Sequence, residues 1–109
     1  MNNNITTITT LYKTPSDKLK NLNQYNSFKL KIFEQEGSLI SKKKFQKILN
    51  RKFDYYYSKK NIGLPKSSNF LLKNVKTKYL LFTQADIIID KKSILNLKKI
   101  FNVDKKIIF

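Results

Sequence analysis

The chain has 109 residues with no cysteine and no histidine, which suits one small domain and excludes zinc fingers, thiolate catalysis, disulfide scaffolds and triads built on a histidine base. Its 23 Lys+Arg against 7 Asp+Glu give a formal charge of +16. Charge of that sign points to an anionic partner (nucleic acid, membrane surface or phosphorylated ligand) or to compositional drift. Arg51 is the only arginine, whereas Lys, Asn and Ile are abundant, the excess an AT-rich genome tends to produce. Scarcity of the bidentate guanidinium speaks against specific nucleic-acid recognition.

The N-terminus, MNNNITTITT, lacks the basic start and apolar core of a signal peptide. No apolar run approaches the roughly 20 residues that span a bilayer. The expected location is the cytoplasm, which the absence of cysteine also fits, and the charge is compatible with peripheral contact at the anionic inner membrane face.

Taken in chain order, Ile5–Tyr12 is rich in Thr and Ile and reads as a strand. Pro15-Ser16-Asp17 opens a short helix with Ser16 as N-cap and Leu19 and Leu22 on one face. Phe28–Glu34 alternates Phe28, Leu30 and Ile32 with Lys29 and Lys31, a strand period, and Gly37-Ser38 ends it. A helix is predicted from about Ser41, with Phe45, Ile48, Leu49 and Phe53 inward. Asp54–Tyr57 is a short aromatic strand and Asn61-Ile62-Gly63 a turn.

Pro65 suits the first turn of a helix that turns Phe70, Leu71 and Val75 inward. Lys78–Thr83 reads as a buried strand. Asp90 caps a last helix carrying Ile94, Leu97, Ile100 and Phe101, and Ile107-Ile108-Phe109 starts a further strand. The alternation predicts an α/β fold, a mostly parallel sheet flanked by helices with right-handed crossovers. Because the chain stops inside an apolar segment, a partial domain over 1–109 is expected.

Tyr12, Glu36 and Asp86 fall at predicted strand carboxyl ends, which share one rim in a parallel sheet and are where open α/β sheets bind ligands. An aromatic ring, two acids and the Gly37-Ser38 turn would make a crevice for a nucleotide, with Asp86 suited to a hard divalent cation on a diphosphate. Each residue also has a plain structural use. Tyr12 could be core, Glu36 a turn acid, Asp86 a capping acid, and Asn61 and Gly63 a turn alone.

The order of these points resembles the nucleotide-binding half of inverting glycosyltransferases of the GT-A fold, family 2 type. Thr10-Leu11-Tyr12-Lys13 stands where those enzymes have Thr-x-Tyr-Asn, and Gln35-Glu36-Gly37-Ser38 where they have Asp-Asp-Gly-Ser. Asn61-Ile62-Gly63, Ser67-Ser68-Asn69, Tyr79-Leu80-Leu81-Phe82 and Gln84-Ala85-Asp86 follow in place of Asn-x-Gly, the Ala-Arg-Asn-like start, the Tyr-apolar strand and the DxD motif. Gln84 takes the place of the first DxD acid, and Ser68 that of a frequent Arg.

The resemblance implies a Rossmann-like donor-binding portion, with Thr10 and Tyr12 at base and ribose and Glu36 accepting from the base. It also implies Lys66 and Asn69 near the pyrophosphate, Gln84 at a ribose hydroxyl, and Asp86 on Mg²⁺ or Mn²⁺. The implied partners are a nucleotide-sugar donor and a glycan or lipid-linked acceptor in cell-envelope polysaccharide synthesis. The acceptor half and its catalytic base have no counterpart in this chain. The competing expectations are a small basic α/β module for nucleic acid or an anionic membrane, and an inactive remnant.

Overall fold

The Thr- and Ile-rich start of the chain forms strand β1 (Ile5–Tyr12), and the rest of the sheet is built outward from it. The computed structural model describes residues 4–25, 28–73, 75–85, 92 and 106–108. Among them, β1 is followed by helix α1 (Ser16–Leu19), a 3-10 helix over Lys20–Tyr25, β2 (Lys29–Gln35), α2 (Leu39–Ile48) and β3 (Asp54–Ser58). Then come α3 (Leu64–Leu72), β4 (Tyr79–Phe82) and β5 (Lys106–Ile108). The sheet order is β3-β2-β1-β4-β5, and every pairing is parallel. The α/β architecture is therefore as the alternation predicts. The expected last helix, with Asp90, Ile94, Leu97, Ile100 and Phe101, lies outside the described residues, as does Phe109.

The strand order fixes which face each helix covers. The chain steps from β1 to β2 to β3 in one direction, then returns past both to β4. Right-handed crossovers then put α1 and α2 on one face and α3 on the other. The core divides accordingly. Leu11, Leu19, Leu22, Leu30, Ile32, Phe45 and Leu49 pack together on the first face. Ile8, Phe33, Leu71 and Leu80 pack on the second.

β1 is the central strand and is covered on both sides, with Ile5 through Thr9 all buried. Parallel strands in this position favour apolar and β-branched residues, and Ile and Thr supply the β-branched shape here. Two of the hydroxyls are used: Thr6 Oγ1 meets Thr77 Oγ1 at 2.7 Å, and Thr10 Oγ1 meets Ser67 Oγ of α3 at 3.0 Å. Thr7 Oγ1 and Thr9 Oγ1, on the α1–α2 face, have no partner among the described residues.

Several local expectations are corrected. Ser16 does not cap α1. Pro15 holds the cap position in an extended conformation, and its carbonyl accepts from the amides of Lys18 and Leu19. α2 starts at Leu39, two residues before the predicted Ser41, because the Ser38 hydroxyl accepts from the Ser41 amide and caps the helix there. Lys31 does not alternate out to solvent but is buried, since both faces of β2 are covered.

Phe70 is 42% exposed, although its ring packs edge-on against Phe33 and Tyr56. Val75 lies beyond the end of α3 and packs against the second core cluster from there.

Two substitutions test this packing. Thr7→Val keeps the β-branched shape and removes a buried hydroxyl that has no described partner. It is expected to raise unfolding free energy by roughly 1 kcal/mol in denaturant titration. Gly37→Ala would place a Cβ 2.5 Å from Glu34 Oε1 and 2.8 Å from the Tyr55 hydroxyl. The same titration should show a loss of about 1–3 kcal/mol.

Candidate functional site

The reversal of strand order falls between β1 and β4, the usual place for a ligand crevice in an open α/β sheet. A crevice of about 430 Å³ lies at their carboxyl ends. One wall runs from Thr10 to Pro15 with Lys18 of α1, and the other is Gln84 and Ala85. Tyr12 is 44% exposed, so its ring is a rim group and not part of the core. Lys13 is in the left-handed region (φ 50°), a strained conformation for a side chain with Cβ, and it turns the chain away from the sheet here.

The Lys13 ammonium sits 5.2 Å from the Tyr12 ring centroid and 3.8 Å from Glu36 Oε2. Tyr12 first and Glu36 second raise its pKa. Two hydrogen bonds hold the loop after β4: Asn21 Nδ2 donates to the Ala85 carbonyl at 2.9 Å, and the Thr83 amide donates to the Ile8 carbonyl at 3.2 Å.

Of the predicted site residues, the fold brings Thr10, Tyr12 and Gln84 together on the crevice walls. Glu36 is at the next strand exit, also left-handed (φ 58°), and touches the crevice only through its ion pair with Lys13. Lys66 and Asn69 are exposed on α3 and do not line the crevice, nor do Gly37 and Ser38. Asp86, the next residue after Ala85, lies outside the described residues.

Among the described residues no cluster of three or more His, Cys, Asp or Glu could hold a metal. The described walls carry Lys13 and Lys18 and no carboxylate, so the oxygen donors they offer a divalent cation are neutral ones such as the Gln84 amide. The expectation of Mg²⁺ or Mn²⁺ rests on Asp86 alone.

Residues 34–38 at the β2 exit have structural work instead. The buried Gln35 accepts the Gly63 amide on its Oε1 at 2.7 Å, and Asn61 Oδ1 lies 3.0 Å from the same amide. This pins Gly63, which starts α3 at φ 88°. The Tyr55 hydroxyl donates to the Glu34 carboxylate, and the Ser38 carbonyl lies 3.2 Å from it. Gly37 passes directly beneath this pair, too close for a Cβ.

Sequence reasoning missed Lys13, Lys18 and Asn21. Lys18 is the one with a usable signal, since a lysine on the first helix after a strand exit faces the same rim.

Comparison of the chain with protein-family models, curated proteins and solved structures gave no match.

Burial, followed by the Glu34 contact, pushes the Tyr55 phenol above its ordinary range. An unfolded tyrosine ionises near about pH 10. Above that, the folded chain binds more protons than the unfolded one, so stability falls as pH rises. Denaturant midpoints measured from about pH 9 to 11 should fall more steeply for the parent chain than for Tyr55→Phe. Parallel curves would disprove the assignment.

Proposed function

We propose that the crevice between β1 and β4 binds the nucleoside diphosphate part of a nucleotide-sugar. On this reading the chain is the donor-binding portion of a family 2-like glycosyltransferase, working in the cytoplasm with a glycan or lipid-linked acceptor. The observation that carries the reading is the crevice's position at the reversal of strand order, with an exposed phenol ring and two ammonium groups on its walls. The Tyr12 ring offers a face to a base, and base–aromatic stacking tolerates any base. Lys13 and Lys18 supply positive charge where a diphosphate would sit, and fixed charge of that sign also favours a departing nucleoside diphosphate. Gln84 brings an amide that can pair with a ribose hydroxyl. No described helix is long and apolar enough to cross a membrane.

Calorimetric titration with nucleoside diphosphates tests this, with an expected Kd on the order of 1 mM. Tyr12→Ala should weaken binding by about 1–3 kcal/mol. Absence of heat at millimolar ligand would sink the reading. Repeating the titration with Mn²⁺ isolates the cation: an increment that Asp86→Ala abolishes assigns it to Asp86, whereas no increment leaves the lysines as the counter-charge.

A further inference from the structure

The first turn of α2 carries the most exposed aliphatic side chains in the described structure, Ile40 at 80% and Leu39 at 63%. Neither holds the fold together. The helix is capped by Ser38, and its inner side is anchored by the buried Phe45. Three, four and seven residues beyond Ile40 stand Lys43, Lys44 and Lys47, which places them on the same outward face, and all three are exposed. From Gly37 to Phe53 there is no acidic residue, so nothing on this helix or in its connections neutralises them.

Two adjacent aliphatics leading a basic helix face is a poor pattern for nucleic acid, where aromatic rings and arginines make the contacts. It suits an anionic bilayer: aliphatic groups enter the boundary between headgroups and acyl chains, and lysine stems reach along it to keep their ammonium groups at the phosphates. We propose that the outer face of α2 docks on an anionic phospholipid surface, with Leu39 and Ile40 inserted and Lys43, Lys44 and Lys47 against the headgroups. The surface is separate from the β1–β4 crevice, and the proposal does not depend on nucleotide binding.

Co-sedimentation of the 109-residue chain with vesicles is the test. One set is phosphatidylcholine alone and the other also carries phosphatidylglycerol. The chain should partition onto the anionic set, and increasingly weakly as salt is raised. Leu39→Ser with Ile40→Ser should lower partitioning at least about tenfold, because the inserted apolar area is lost. Each of Lys43→Ser, Lys44→Ser and Lys47→Ser should lower it about fivefold.

All five side chains are exposed, so circular dichroism should stay unchanged and the fold is not at stake. No partition onto anionic vesicles overturns the proposal, and so does equal partition onto phosphatidylcholine alone. Undiminished partition of the double serine variant overturns it as well. Retention on RNA or duplex DNA without vesicle binding would transfer the basic face to a nucleic-acid partner.

Discussion

β1 is hydrogen-bonded along both edges, to β2 on one side and β4 on the other, and buried on both faces. That double demand is met with four threonines and two isoleucines, and the consequence is specificity as well as burial. A hydroxyl inside a parallel sheet either finds a partner or costs free energy. Thr6 is matched by Thr77, just ahead of β4, and Thr10 by Ser67 on α3. Those two contacts fix where β4 enters the sheet and where α3 lies across it. The crevice follows from the same strand, because the chain leaves β1 and β4 on opposite sides of the point where the strand order reverses.

The exits of β1 and β2 look alike in sequence, each ending a buried strand with a charged residue, and both charged residues adopt left-handed backbone. Their work differs. The β2 exit is closed on itself: Gln35 is spent on the Gly63 amide, Glu34 on Tyr55, and Ser38 on α2. Little is left there for a ligand. The β1 exit is open, with Tyr12 and Lys13 presented to solvent, and Glu36 reaches over to it as the counter-charge of Lys13. The two strained turns are thus joined across the rim by one ion pair, exposed and therefore weak.

What the sequence made legible was the set of features written in local pattern. The β-branched run of β1, the aromatic run of β3 and Pro65 at the start of α3 each declare themselves within a few residues. Thr10, Tyr12 and Gln84 could be placed on one rim because strand ends in a parallel sheet share an edge. Lys31 could not be read correctly from alternation, because that rule assumes one solvated face. The role of Gln35 depends on an amide 28 residues away, and that of Asn21 on a carbonyl 64 residues away, so no window shows either. Lys13 was hidden by abundance: in a chain this rich in lysine, one more carries no contrast, whereas Lys18 could have been picked out by its place on the first helix after a strand exit.

The charge itself is used unevenly, and this bears on stability. Arg51 is withdrawn into the fold, donating to the carbonyls of Leu22 and Phe28, and burial pushes it down to about 10, still charged at neutral pH. Lys13 has Glu36. The lysines of α2 have no acid on their helix. A net charge of +16 on a small domain repels itself and opposes compaction, more strongly at low salt. An anion bound only by the folded chain relieves that repulsion and adds its own binding free energy to stability. A diphosphate in the crevice and an anionic surface under α2 would therefore each act on the fold as well as on function. If either ligand binds, its occupancy and folding would be linked through the same excess of positive charge.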